Sequence, residues 1–456
     1  MIFTRSLVNK NIKFTDIFNY KTCSYAEFSS LVDAYKNLFI AKGARKGQSV
    51  VIGNQANTSQ IAMVFACLEL GLTIVIIANP FGYESKTYKK GSISTTLKMM
   101  LPIDYFIIDN PGTSNKYEVF RDTCRHTINL SDEILDYTPN KLVWADKETI
   151  LIKCASSGTT GTPKLITHNH EFLCKLVIRN SKSFYGIMGI MSNLAHGSSL
   201  AVYFLPGLAS SNVTHFVNLP NLPLVSLVNL LDEYNISLDH MLVPYTHFID
   251  DFFNANGSIP TCILHTLGLI RRNWIAFCND RVKDIVSIFG TNETSGPFLI
   301  NKASEKDFAE DLYTLIDDFY KLEISEKNIL YVDMPVYNKK VASGDLFALS
   351  NGKYKHLGRN NLHRINDLEI NLDKITDQIK KLVNAQLVID TKKDNIYLAV
   401  WDKFADKDII TKIDTMLRLQ SKGLHSINKY EILEYSDFVS GVKLDMEALR
   451  EYFRNK

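Results

Sequence analysis

Between residues 24 and 80 the spacing of apolar and polar positions changes several times. Phe28, Leu31, Val32, Tyr35, Leu38 and Phe39 recur at the three-and-four spacing of an amphipathic helix, so the pattern predicts a helix over residues 25–41 that stops at Gly43. Residues 48–52 read as a short strand and residues 61–70 as an apolar helix. Thr73, Ile74, Val75, Ile76 and Ile77 then form a β-branched run, the pattern of a parallel strand covered on both faces. Further strands are expected at residues 105–108 and along the run Ile150-Leu151-Ile152. Strands alternating with helices predict an α/β fold of layered sheets and helices.

The two most hydrophobic stretches, residues 61–79 and 184–208, are both interrupted. Glu69 and Gly71 break the first; Asn193, His196, Ser198 and Pro206 break the second. Neither makes a membrane span, and both read as buried core. Farther on, Leu357-Gly358-Arg359-Asn360-Asn361 is a polar, glycine-containing break between two periodic regions. It divides a large domain, residues 1–360, from a small α+β lid domain, residues 361–456, with helices expected at 375–382 and 408–419 and strands at 385–389 and 396–401.

A length of 456 residues exceeds what one hydrophobic core supports, in keeping with two domains. A net charge of +2 suggests no polyanion partner, so no nucleic acid is expected. The seven cysteines are odd in number and lack C-x-x-C spacing, which fits reduced thiols in a cytoplasmic protein rather than a disulfide framework or zinc site. Met1-Ile2-Phe3-Thr4-Arg5-Ser6 is followed by no long apolar region, so no secretory signal is expected.

Chemistry concentrates in Ser156-Ser157-Gly158-Thr159-Thr160-Gly161-Thr162-Pro163-Lys164, directly after a strand. Five hydroxyls, two glycines and a lysine make a flexible turn whose backbone and side-chain donors suit phosphate. Its glycines have two residues between them rather than four, and Pro163 precedes Lys164, which excludes a Walker loop. A second buried run, Ile285 to Phe289, ends in the polar turn Gly290-Thr291-Asn292-Glu293-Thr294-Ser295-Gly296. Ser343-Gly344-Asp345 stands fourteen residues before Arg359. Near the C-terminus, Ser440-Gly441-Val442-Lys443-Leu444-Asp445 precedes an amphipathic helix.

In this order, these segments resemble the signature motifs of the adenylate-forming superfamily: acyl-CoA synthetases, peptide-synthetase adenylation domains and luciferases. Ser24-Tyr25-Ala26-Glu27-Phe28, Gly43-Ala44-Arg45-Lys46-Gly47 and Ala66-Cys67-Leu68-Glu69-Leu70-Gly71 also fall in the expected order, so the resemblance covers nearly the whole chain. It implies that Ser156, Ser157, Gly158, Thr159, Thr160, Gly161 and Lys164 hold the ATP phosphates. Phe289 and Gly290 would lie by the adenine, and Asn292 would reach the α-phosphate where the family has threonine. Glu293 would hold Mg²⁺, a hard cation that prefers carboxylate oxygen. Asp345, with the acceptor capacity for a vicinal diol, and Arg359 would hold the ribose. Asn361 would be the hinge, and Lys443 the catalytic lysine that offsets charge when a carboxylate attacks the α-phosphate.

His196 resembles the histidine or aromatic residue of the family's acyl pocket, and the apolar segment 186–208 suits an aliphatic or aryl acid. His168 follows the phosphate loop as a histidine often does in the family, and no further ligands join it and His170 in a metal set. The implied activity is acyl-adenylate formation from ATP and a carboxylic acid, followed by thioester formation with CoA after the lid rotates. Departures from the pattern keep two alternatives open. Asp367 stands where CoA-binding members carry glycine, pointing to an amine or a carrier-protein thiol as acceptor. Val442 and Asp437 replace the family's glycine and proline beside the lysine, pointing to a non-catalytic nucleotide or acyl-AMP binding protein.

Overall fold

A computed structural model describes the chain from residue 2 to 455 except for 18–20, 53–56, 77–99, 109–123, 157–163, 192–198, 220–223, 244–248, 250–251, 253–256, 267–273, 275–277, 279, 292, 306–311, 360–361, 366–367, 372–374, 376–378, 381, 391–394, 402–406, 421–426, 435–436, 438, 441–442 and 445. Two large sheets dominate it. The first has six strands in the order Cys124–Asn129, Ile103–Ile108, Ser49–Val51, Thr73–Ile76, Ile150–Ser156 and Lys164–Asn169. All neighbours in it are parallel except the last pair. The second has thirteen strands. Its middle is parallel, running through Val282–Gly290, Ile259–Thr266, His240–Leu242, Gly186–Ile190, Val213–Asn218 and Lys13–Asp16. Beyond Val282–Gly290 it continues as an antiparallel arm through Pro297–Lys302, Leu312–Leu315, Lys353–Arg359, Lys339–Ser350, Ile329–Met334 and Lys321–Ile324, the chain crossing after Leu315 to the outer edge and returning.

Local chemistry sets the helix boundaries. Ser24 and Glu27 form a reciprocal capping box at the start of Tyr25–Ala41. Asn57 accepts a hydrogen bond from Gln60 N at 2.8 Å, so the helix expected from residue 61 begins at Thr58. It ends at Gly71, whose φ of 63° is left-handed. Asn169 caps His170–Ser181 in the same way, accepting from Phe172 N at 3.0 Å.

The main core joins both sheets through these helices, with Phe28, Phe65, Leu151, Phe172, Tyr203 and Phe216 among its buried residues. A second core, including Leu227, Leu231, Met241, Leu264 and Ile285, lies on the other face of the thirteen-stranded sheet. The N-terminal segment is held by charge. Lys36 is fully buried, and its Nζ donates to Glu69 Oε2 and Asn140 O, both at 2.8 Å. Arg5 N donates to the other oxygen of Glu69 at 3.1 Å, and the Arg5 guanidinium reaches Asp33 and Ser29 O.

Strands Ala385–Asp390 and Asn395–Val400 and the helix Lys407–Gln420 match the sequence expectation closely. Of the helix expected at 375–382, residues 375, 379 and 380 are helical among the described residues. Residues from 375 onward build two apolar clusters of their own, one around Ile379, Leu398 and Ile413 and one in which Leu449 and Phe453 of the last helix, Met446–Asn455, meet Val388 and Tyr397. Leu357-Gly358-Arg359, expected in the interdomain break, is instead the end of a paired strand. The antiparallel arm had no counterpart in the sequence reading.

Candidate active site

Ser156 and Lys164 are paired residues of an antiparallel hairpin, so the segment 157–163, the candidate for phosphate binding, connects two adjacent strands of the six-stranded sheet. Ser156 is the carboxyl end of a strand parallel to Thr73–Ile76, the end at which open α/β sheets receive ligands. Ser157, Gly158, Thr159, Thr160 and Gly161 lie outside the described residues.

The strand Val282–Gly290 also ends in a hairpin, returning as Pro297–Lys302. Gly290 lies against the returning chain: a Cβ there would stand 2.5 Å from Gly296 O. Within the turn, Thr294 Oγ1 accepts from Thr291 N at 3.0 Å and donates to Gly296 O at 2.9 Å. Tyr320 braces it from below, donating to Thr294 O at 2.9 Å, while Arg179 stands over the Phe319 and Tyr320 rings and donates to Pro297 O. Glu293 is half-buried in this turn and forms no ion pair with another described residue. A carboxylate so placed fits a hard divalent cation carried in with a polyphosphate. Asn292 lies outside the described residues.

Phe289 is fixed by surrounding rings. It meets Phe298, Tyr313 and Phe347 edge-on at centroid separations of 5.6, 6.0 and 5.1 Å, and His356 at 5.5 Å. That last contact leads to the ribose candidate. Asp345 is buried, and its Oδ1 accepts from His356 Nε2 at 3.0 Å. Gly344 just before it has φ +81°, a left-handed turn that glycine tolerates, and Ser343 Oγ accepts from Asp345 N at 3.1 Å.

A β-bulge produces the histidine contact. Asp345 pairs with Arg359 and Leu346 with Gly358, but Phe347 pairs with His356, leaving Leu357 as the extra residue. Asp345 and Phe347 share a face of their strand, and the slip brings His356 rather than Leu357 onto it. Phe289, His356, Asp345 and the backbone of Arg359 therefore form one contiguous group. Sequence reasoning missed His356; its signal was a histidine three residues before the arginine, on a strand that had not been anticipated.

The backbone of Lys443 begins the second strand of a tight hairpin with Val439–Ser440, ahead of the helix anchored by Leu449 and Phe453. His196, Asn361 and Asp367 lie outside the described residues. His168 is buried and stacked on Phe172 at 5.0 Å. His170 is a tether: its Nδ1 accepts from Phe3 N at 3.1 Å, so Nε2 carries the proton and donates to Leu68 O at 2.9 Å. Burial pushes its pKa down, keeping the ring neutral. Among the described residues no cluster of three or more His, Cys, Asp or Glu side chains is arranged to hold a metal ion, and no helix is long and apolar enough to cross a membrane.

A family model described as AMP-binding enzyme matches residues 7–313. In sequence the chain is similar to an acetyl-coenzyme A synthetase of Dictyostelium discoideum, 29% identical over 171 residues. That match covers 32% of this chain and spans only 25% of the relative's length. In structure it is similar to the O-succinylbenzoate coenzyme A synthetase of Bacillus subtilis in complex with ATP and magnesium ion, with a TM-score of 0.71, 14% identity and 96% of each chain covered. It is also similar to an amide bond synthetase from Marinactinospora thermotolerans, with a TM-score of 0.72, 12% identity and 98% of each chain covered. At such identities the structural likeness is one of fold.

Proposed function

Because the chain belongs to the AMP-binding enzyme family, we propose that it is an ATP-dependent, AMP-forming carboxylate ligase that makes an acyl-adenylate and then passes the acyl group to CoA. The observation that carries this reading is the contiguous group of Phe289, His356, Asp345 and the Arg359 strand end, beside the turn that holds Glu293. Phe289 would present its remaining ring surface to the adenine. Asp345, oriented by the N–H of His356, would accept hydrogen bonds from the ribose hydroxyls. Residues 156–164 would hold the β- and γ-phosphates with backbone and hydroxyl donors.

In the first half-reaction an oxygen of the substrate carboxylate attacks the α-phosphorus. The bond from that phosphorus to the bridging oxygen breaks, and pyrophosphate leaves. Two anions approach each other, so Lys443 would supply positive charge where it develops. Glu293 would hold the Mg²⁺ that accompanies ATP, and the ion when bound neutralises phosphate charge. Residues 361–456 would act as the lid that carries Lys443 in and out. Their apolar clusters, built among the described residues from position 375 onward, support that division.

Thioester formation with CoA is favoured by the acetyl-coenzyme A synthetase relative, whereas Asp367 favours an amine or carrier-protein acceptor. A pyrophosphate-release screen over fatty, aryl and amino acids tests the first step. Wild type is expected to release pyrophosphate with at least one acid, and Lys443→Ala to abolish that release while ATP still binds. Binding of ATP with no release for any acid would instead identify a nucleotide-binding protein. Products formed with CoA, amines and a carrier protein then identify the acceptor.

A further inference from the structure

A polar cluster in the core between the sheets has no part in the nucleotide-handling group. His240 and His265 stand on the adjacent parallel strands His240–Leu242 and Ile259–Thr266, with His240 Nδ1 3.0 Å from His265 Nε2. The ring of Phe184 packs on both, at 5.6 and 5.8 Å, and that of Tyr203 on His265 at 5.4 Å. Tyr203 is 1% and His240 2% exposed, yet Tyr203 Oη and His240 Nε2 meet no hydrogen-bond partner among the described residues. A buried polar atom left unpaired costs ~1–3 kcal/mol, and two in one ring cluster call for an explanation.

Position supplies one. His265 is the penultimate residue of its strand and pairs with Val286, on the strand that ends at Phe289 and Gly290. It is therefore near the carboxyl ends of the parallel strands, where ligands bind, and one strand away from the nucleotide candidates. Tyr203 lies in a π-helical turn, Leu200–Phe204, a geometry frequent at functional sites. The helix that follows rests on the same sheet: a Cβ on Gly207 would collide with Met188.

The pair is neutral, because burial lowers the pKa of His240 to about 4 and that of His265 to about 3. One proton is shared between Nδ1 and Nε2, and His240 Nε2 is a donor or an acceptor according to which ring holds it. The Tyr203 hydroxyl is likewise both. A charged substituent would lose its hydration among these neutral rings, whereas an uncharged one finds either hydrogen-bonding sense.

We propose that Tyr203 and the His240–His265 pair form the inner end of the acyl site and select an acid whose tail or ring carries an uncharged hydrogen-bonding group, such as a hydroxyl, carbonyl or amide. This inference rests on the adenylation reading above. Pyrophosphate release at saturating ATP is measured with matched acids: p-hydroxybenzoate against benzoate, ω-hydroxyoctanoate against octanoate, and levulinate against pentanoate. Wild type is expected to favour the hydrogen-bonding member of at least one pair by about tenfold or more in kcat/KM, since a site built around a polar group rejects the analogue lacking it. Tyr203→Phe and His240→Leu are each expected to reduce that preference to about threefold or less, with melting curves of the ligand-free variants as the folding control. A ratio near one for every pair in wild type, or a preference that survives in Tyr203→Phe, overturns the inference and leaves adenylation standing. Absence of pyrophosphate release with every acid overturns the adenylation reading itself, and this inference with it.

Discussion

Replacing His356 by alanine tests whether the Asp345 carboxylate is held in place for the ribose. The two side chains are 7% and 9% exposed and 3.0 Å apart, so their contact is shielded from water. Hydrogen bonds to a charged group contribute ~1.5–3 kcal/mol, and ~1.4 kcal/mol is a factor of ten. Asp345 makes further interactions within the fold, which places the expected effect of His356→Ala near the lower limit, about a tenfold rise in the KM for ATP. The informative assay pairs the protein substitution with one in the ligand, comparing ATP with 2′-deoxy-ATP in steady-state pyrophosphate release. Wild type is expected to prefer ATP by about tenfold or more, the loss of one hydrogen bond to a carboxylate. In His356→Ala that ratio is expected to shrink to a few-fold, and in His356→Gln, which retains an N–H donor, to recover in part. A ratio between nucleotides is insensitive to how much of the variant is folded. Equal loss of activity with both nucleotides in His356→Ala would refute a positioning role and leave the histidine a packing residue.

Gly290→Ala forces a Cβ to within 2.5 Å of a carbonyl oxygen on the returning strand, and is expected to cost ~1–3 kcal/mol in urea unfolding and to displace the Glu293 turn. Unchanged stability together with unchanged pyrophosphate release would contradict the close approach described. The pH dependence has a definite sign. His240, His265 and His170 have pKa values lowered by burial, so the unfolded chain binds more protons than the folded one below about pH 6.5. Their contribution is complete above that pH and is lost as the pH falls, by ~1.4 kcal/mol each for His240 and His265 between pH 7.5 and 5.5, with His170 acting in the same direction. The urea midpoint is expected to drop over that interval and to drop less in His265→Leu; a midpoint that rises on acidification would rule this out.

Some buried parallel strands were legible because they stand out as apolar runs: Thr73–Ile76 falls within the expected 73–77 and Val282–Gly290 contains the expected 285–289, whereas parallel strands with polar positions, such as Lys13–Asp16 and Cys124–Asn129, offer no such run. The antiparallel arm from Pro297 onward was not legible. Lys321–Ile324 has the period two of a strand but spans only four residues and buries none of them fully, and Lys339–Ser350 has few fully buried positions, so neither stands out as an apolar run. The candidate site divides in the same way. Glu293, Asp345 and Lys443 stand out as candidates because each sits in a short motif. His356 depends on a bulge in the cross-strand register, which no local pattern encodes. The tether role of His170 depends on partners 167 and 102 residues away in sequence.

That tether links Phe3 to the strand that follows the segment proposed to hold phosphate. The strand begins at Lys164 and ends at Asn169, and the very next residue is held by the amide of Phe3. Two residues after Phe3, Arg5 binds the carboxylate that also neutralises the buried Lys36. Changes to residues 3–5 would therefore reach the proposed nucleotide site: they release the far end of the strand that follows residues 157–163. A tag fused there should be judged by nucleotide affinity as well as by yield.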